Sequence, residues 1–219
     1  MPQLKTEILT LKKVKKNGSI ESEIMNRIIQ SLRNDELALY PVDSIYGILC
    51  LLEGKYAGSL HKLAFEKEEK IEILVSDFKM LESLVILNKF EFDFLHRIWP
   101  GEISVKLTSR KNKNVKIMIR IPRSRFQLEI ISALNKPILY ATLYNKKGKH
   151  VYTEKEIIKL FSGKVNLITI IKEFCKEHVM PSIVDITKND LEILKEGRVP
   201  EDEIKSLYFL GQDDEDDYI

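Results

Sequence analysis

Leu37-Ala38-Leu39-Tyr40-Pro41-Val42-Asp43-Ser44-Ile45-Tyr46-Gly47-Ile48-Leu49-Cys50-Leu51-Leu52 holds two apolar runs parted by the short Val42-Asp43-Ser44 segment. A short apolar run bounded by turn signals is the pattern of a strand buried on both faces. Residues 37–40 are therefore expected to form a buried strand that stops at Pro41, which lacks an N–H for the ladder. The chain then crosses a polar loop and re-enters the core from Ile45.

Working outward, Ile20, Ile24, Ile28 and Leu32 recur at helical spacing and predict a helix over 20–34, with an edge strand at 4–11 before it. Downstream, the pattern predicts a helix at 55–66, a strand at 71–75 and helical material at 77–98 broken near Asn88. Strands at 103–108 and 115–121, a helix at 124–135 and a strand at 137–142 follow. A helix at 153–161 and strands at 165–171, 182–186 and 191–195 complete the series. Strands and helices alternate without a Gly/Ser/Pro linker, so the expectation is a single α/β domain over residues 1–210, an open twisted mixed sheet with flanking helices. Residues 211–219 are expected to be an acidic, disordered tail.

The 219 residues are 44% hydrophobic and 31% charged, enough apolar material for a packed core, and they exclude collagen, a disordered chain and a disulfide scaffold. Asp213, Asp214, Glu215, Asp216 and Asp217 hold five of the 33 acidic residues, so residues 1–212 carry 35 bases against 28 acids, a charge of +7. A mildly basic body admits phosphate-bearing partners without demanding them. No apolar stretch approaches the ~20 residues of a membrane helix, and the N-terminus lacks a signal-peptide core. The chain reads as cytoplasmic, without a membrane partner, and Cys50 and Cys175 as reduced thiols.

The P-loop, the dinucleotide-binding glycine motif, the nucleophile elbow and the zincin motif are all missing from the sequence. Cys175 and His178 form the single metal-like pair, and a closed zinc site normally needs four ligands, so no metal site is assigned. Two features carry candidate chemistry. The Asp43-Ser44 loop can line a small-molecule cleft, or it can be an ordinary turn in which Asp43 caps its own backbone. Between Glu102 and Glu129 the chain holds Lys106, Arg110, Lys111, Lys113, Lys116, Arg120, Arg123 and Arg125 and no acid, a candidate RNA-binding surface or a solvated hairpin tip. Arg120, near a strand end, is placed to clamp a phosphate or carboxylate.

Tyr40-Pro41-Val42-Asp43-Ser44-Ile45-Tyr46-Gly47 resembles the Pro-Thr-Asp-Ser/Thr-x-Tyr-Gly signature of the YrdC/YciO family, whose best-known members are threonylcarbamoyl-AMP synthases. In the same order along the chain, Trp99-Pro100-Gly101-Glu102-Ile103-Ser104 resembles the family's Trp-Pro-Gly-x-x-Thr, and Ile119-Arg120-Ile121-Pro122 its Val-Arg-Val-Pro. Lys136-Pro137 through Thr142 with Asn145, then Pro181-Ser182-Ile183-Val184-Asp185-Ile186, and finally Leu194-Lys195-Glu196-Gly197 match three further motifs, so the resemblance spans about residues 15–200.

The resemblance implies a mainly parallel twisted sheet with a concave basic cavity, and a reaction joining L-threonine, bicarbonate and ATP into threonylcarbamoyl-AMP and pyrophosphate for tRNA modification. It implies Mg²⁺ entering with ATP if the chain is active, and no tightly bound metal. Carried over by position, Arg120 is the catalytic candidate and contacts phosphate with Lys195, Asn145 and Ser182 contact the nucleotide, and Ser44 and Tyr46 face the amino acid. Some relatives bind double-stranded RNA, which would place tRNA or duplex RNA on Lys106, Arg110, Lys111, Lys113, Lys116, Arg123 and Arg125.

Departures from the family pattern matter as much. Its Lys-x-Arg pair aligns with Ala64-Phe65-Glu66, its Ser-Ala-Asn triplet with Leu143-Tyr144-Asn145, its loop Thr with Val42, and the Arg of its Arg-Glu-Gly with Lys195. These changes resemble the YciO branch. The leading expectation is a protein that keeps the cleft, binds adenine nucleotide or RNA, and has weak or altered synthase activity. The alternatives are an active synthase and a non-enzymatic RNA-binding module.

Overall fold

The computed structural model describes residues 4–11, 22–65, 70–171, 178–188 and 190–210. Ten strands and seven α-helices are described: β1 (Glu7–Leu11), α1 (Ser22–Arg33), β2 (Ala38–Val42), β3 (Ile45–Leu51), α2 (Leu60–Ala64), β4 (Glu72–Leu74), α3 (Phe78–Leu84), α4 (Lys89–Ile98), β5 (Ile103–Thr108), β6 (Lys116–Arg120), α5 (Arg125–Leu134), β7 (Ile138–Thr142), α6 (Glu154–Phe161), β8 (Leu167–Ile171), β9 (Ser182–Asp185), β10 (Glu192–Lys195) and α7 (Glu201–Phe209). The strands form one sheet in the order β1-β8-β2-β3-β7-β4-β6-β5-β9-β10. It is mixed, as expected. Its parallel pairs, however, number four of nine, because β2/β3, β5/β6 and β9/β10 are local hairpins and β7 runs antiparallel to both of its neighbours.

Strand side chains alternate between faces, and each face of this sheet has its own core. Tyr40, Val42, Leu49, Leu74, Ile138, Tyr140 and Leu167 face α1 and α5, which contribute Ile24, Ile28, Leu32, Phe126, Ile130 and Ile131. Leu39, Ile48, Cys50, Ile73, Val105, Ile119, Leu139 and Ile168 face the other way, onto Leu60, Leu81, Phe94, Ile157, Phe161, Ile204 and Tyr208 of the remaining helices. Burial raises the Cys50 thiol to about 12, with the Asp35 charge adding, so it is protonated and inert.

Two sequence expectations change. β2 does not stop at Pro41 but runs to Val42, with Pro41 opposite Tyr46 on β3. On its other side β2 pairs with β8 only at Ala38 and Leu39, so Pro41 sits on a stretch where no second ladder asks for its missing N–H. The second change is α7, which lies in the part of the domain after residue 195 where the pattern assigned no element. Pro200 precedes it and Glu201, Asp202 and Glu203 fill its first turn, where negative charge meets the positive end of the helix dipole. Ile204 and Tyr208 then bury against α4, with the Tyr208 ring 4.9 Å from Phe90 and 5.1 Å from Phe94. The break foreseen at Asn88 is a capping box, in which Asn88 and Glu91 accept each other's backbone N–H, both at 2.8 Å. Residues 211–219 and Cys175 lie outside the described residues, and no helix among those described is long and apolar enough to cross a membrane.

Tyr208→Ala removes a ring packed between α7 and α4 and is expected to lower unfolding free energy by about 3 kcal/mol. Phe209→Ala, at a position that is 50% exposed, should cost less than about 1 kcal/mol. Urea denaturation of both variants checks the docking of α7.

Candidate functional site

The hairpin turn between β2 and β3 is Asp43-Ser44, and Asp43 takes a left-handed backbone with φ 55°. Its carboxylate accepts the Arg120 Nη1 hydrogen bond through Oδ2 and the Ser124 backbone N–H, at 2.8 Å, through Oδ1. Glu72 takes the opposite edge of the same guanidinium: its Oε2 accepts from Arg120 Nε and lies beside Nη2, both at 3.2 Å. Glu72 Oε1 accepts from the Ser104 hydroxyl at 2.7 Å. Arg120 is 2% exposed. Burial alone would lower its pKa, but the Glu72 and Asp43 charges outweigh it and hold the group above its ordinary value, so it stays a cation. Arg120 therefore does not project from the strand as an open clamp; all three of its nitrogens meet protein carboxylates.

The hairpin is pinned a second time by Tyr140, whose hydroxyl donates to the Ile45 carbonyl at 3.1 Å. Burial raises that phenol well above its ordinary pKa, so the proton stays on. A Cβ at residue 47 would stand 2.0 Å from Tyr140 Cε2, so this close approach of ring to backbone requires Gly47. Ser44 is half-exposed at the turn. Tyr46 is buried, and its hydroxyl accepts the Ile171 N–H at 3.1 Å.

The chain after β7 closes onto the same region. Leu143 N donates to the Tyr46 carbonyl at 3.2 Å, Tyr144 N to the Ala64 carbonyl at 2.9 Å, and Val151 N to the Leu143 carbonyl at 3.0 Å. Asn145 holds the loop that follows, its Oδ1 accepting from Lys147 N at 3.0 Å and Lys149 N at 3.1 Å. Ser182 is fully buried and its hydroxyl is saturated, donating to the Val199 carbonyl at 2.6 Å and accepting from Gly197 N and Val199 N at 2.9 and 3.1 Å. It ties β9 to the strap that carries Lys195, which is exposed. Lys195 in turn acts on His150: burial, then the His178 and Lys195 charges, pull that imidazole down to about 4. Of the residues foreseen, Tyr46 bonds to the 143–151 segment that holds Asn145, Lys195 acts by charge on its His150, and Arg120 bonds to Asp43 at the turn next to Ser44. Ala64 lies at the end of α2, and Glu66 lies outside the described residues.

The basic stretch does not form one patch. Arg110, Lys111 and Lys113 lie in the β5–β6 loop, whereas Arg123 and Arg125 follow the far end of β6. Five residues of strand separate the two groups by about 16 Å. Several are already matched with acids: Lys116 with Asp185 at 4.0 Å, Arg123 with Glu102 at 3.7 Å and Arg125 with Glu129 at 2.7 Å. Half-buried Lys106 also faces Asp185. Burial would raise that carboxyl, but the Thr187 hydrogen bonds and the Lys116 and Lys106 charges hold it below its ordinary value. A cavity of about 560 Å³ lined by Leu52, His61, Ile73 and Lys116 among others lies apart from the turn. No group of three or more His, Cys, Asp or Glu among the described residues could hold a metal ion.

Sequence reasoning missed Glu72 and His150. The available signal for Glu72 was one carboxylate inside the apolar Ile71-Glu72-Ile73-Leu74-Val75, a placement that calls for a cationic partner.

The family model Sua5/YciO/YrdC, "Telomere recombination", matches residues 30–197. The threonylcarbamoyl-AMP synthase of Neisseria meningitidis serogroup B is 25% identical over 161 residues, 68% of this chain and 85% of that protein. The crystal structure of Escherichia coli YciO superposes with a TM-score of 0.78 at 17% identity, covering 91% of this chain and 98% of that one. Sua5 of P. abyssi, complexed with L-threonine, gives 0.75 at 19% identity over 92% of this chain, which spans 61% of the Sua5 chain. With its Asp43-Ser44 hairpin, its buried Arg120 and a model match across most of its length, the chain belongs to the Sua5/YciO/YrdC family.

Proposed function

We propose that this protein binds an adenine nucleotide and an amino acid at the site gathered around residues 143–151, in the manner of a threonylcarbamoyl-AMP synthase, with the adenylate-forming step weakened or altered. Relatives support the substrate classes: one is a threonylcarbamoyl-AMP synthase and another is Sua5 with L-threonine bound. In that reaction a carbamate oxygen, formed from the amino group of L-threonine and bicarbonate with loss of water, attacks the α-phosphorus of Mg·ATP. The α–β phosphoanhydride bond breaks and pyrophosphate leaves. In this reading the Ser44 hydroxyl and the Tyr46 segment face the amino acid, while Asn145 and Lys195 face the nucleotide. Ser182 acts through the strap that it holds.

The observation that carries the weakened step is the pairing of Arg120 with both Asp43 and Glu72. One cation between two carboxylates is a net negative centre and does not neutralise an incoming phosphate. A unit charge pair at ~4 Å is worth about 4 kcal/mol at an effective dielectric of ~20, comparable to a thousandfold in rate. Duplex-RNA binding is less well supported, because the basic residues foreseen for it are divided between the two ends of β6 and several meet carboxylates.

Calorimetry is expected to show heat for Mg·ATP. With L-threonine and bicarbonate, pyrophosphate release should run at least about a hundredfold below that of the Neisseria synthase assayed in parallel. Equal rates would establish an active synthase, and duplex-RNA binding that falls steeply with salt while ATP gives no heat would establish an RNA module. Glu72→Gln removes one of the two negative charges on Arg120 and should tighten Mg·ATP binding about tenfold; weaker or unchanged binding counts against the electrostatic argument.

Arg120→Met leaves two enclosed carboxylates without their cation and is expected to lower stability by about 3–5 kcal/mol. Adding Glu72→Met to that variant should recover a substantial part of the loss. Chemical denaturation of the two single variants and the double variant measures the coupling.

A further inference from the structure

His150 holds a polar atom that the family motifs do not account for. Its Nε2 is buried and has no hydrogen-bond partner among the described residues. The ring itself is well held. A backbone bridge pairs residues 144 and 150, the Tyr144 ring meets His150 edge-on at 5.8 Å and 64°, and the Tyr152 ring lies 6.1 Å away, tilted by 33°. Tyr152 continues the row onto His178, with centroids 4.2 Å apart and planes 31° from parallel. Native proteins leave few buried polar atoms unpaired, and each costs about 1–3 kcal/mol. A held imidazole with one unpaired nitrogen is therefore suited to receive a ligand's hydrogen bond.

The chemistry around it narrows the ligand. The imidazole is neutral at physiological pH, so it offers a directional donor or acceptor and no charge. That suits the uncharged polar edge of a heterocycle. Tyr152, 45% exposed, and the exposed His178 give planar faces for stacking. Lys195, exposed on the strap, is the cation whose charge bears on this ring. A flat polar ring joined to an anion is a nucleotide.

We infer that His150 is a specificity-determining residue whose Nε2 hydrogen-bonds the base of a bound nucleotide, with the Tyr152–His178 pair as its stacking surface. The inference rests on the nucleotide-binding reading and adds which end of the nucleotide lies against this wall. The His150 Nε2 is covered, so a base reaches it only with a local side-chain shift at this wall.

The test is calorimetry with two probes, Mg·ATP and Mg·tripolyphosphate, the second lacking base and sugar. His150→Phe keeps a ring in place and removes both nitrogens. It is expected to weaken Mg·ATP at least tenfold while tripolyphosphate binding changes by less than twofold. Tyr152→Ala, at an exposed position that tolerates substitution, should weaken Mg·ATP severalfold and again spare tripolyphosphate, and it carries the test should His150→Phe unfold. Wild-type protein that binds Mg·ATP no better than tripolyphosphate overturns the base assignment. So does Mg·ATP affinity unchanged in both variants, or a parallel loss of both probes; the nucleotide reading survives those outcomes. Wild-type protein that binds neither probe overturns both.

Discussion

The Arg120 guanidinium, enclosed between Asp43 and Glu72, fixes the geometry on which the rest of the site is built. Removing an arginine from water costs several kcal/mol, and the cost is offset only when good geometry and further hydrogen bonds satisfy the whole group. Here they do. Glu72 sits on β4 and accepts from Ser104 on β5, Arg120 ends β6, and Asp43 turns the β2/β3 hairpin. The second carboxylate exceeds the charge of the single cation, and part of that excess meets the Ser124 amide at the start of α5, the positive end of that helix. One buried ion cluster therefore ties the centre of the sheet, the hairpin tip and a covering helix into a single geometry.

A turn held this way presents Ser44 rigidly. Asp43 adopts a left-handed backbone, uncommon outside glycine, and the ion cluster supplies the constraint that keeps it there. Tyr140 adds a second fixed point from below, with Gly47 leaving room for its ring. The cost falls on electrostatics: the charge that makes Arg120 useful to an anion is already spent inside the protein. Structural order at the turn and phosphate attraction at the arginine compete for the same guanidinium.

How far the sequence disclosed this differs residue by residue. Apolar runs bounded by turn signals locate most strands and helical spacing most helices, because strands buried on both faces are apolar nearly throughout. The Asn88 break was legible through its cap. α7 was not, because only Ile204 and Tyr208 mark its buried face and three acids after Pro200 obscure that spacing. The surroundings of Arg120 were hidden for another reason. Its partners stand 48 and 77 residues away, and only the sheet order brings β4, β6 and the hairpin together. The basic run misled in the opposite sense: neighbours in sequence are divided by the length of a strand. Tyr46 and Ser182 were legible as positions, whereas the bonds that occupy their hydroxyls were not.

The charges left around residues 143–151 set what kind of recognition this chain can perform. Arg120 is committed, His150 is neutral, and Lys195 stands exposed on the strap. An exposed lysine attracts phosphate through water and is screened within about 8–10 Å at physiological salt. A nucleotide bound here would therefore draw comparatively little of its affinity from charge. More would come from contacts that salt does not weaken: hydrogen bonds to fixed groups such as the Asn145 loop and the imidazole, and ring stacking. A nucleotide held by such a balance would gain little stabilisation of the charge that develops at its α-phosphorus, and only interactions stronger in the transition state than in the ground state speed the reaction. In the proposed reading, retained binding with diminished turnover would follow from Glu72 standing against the arginine beside Asp43.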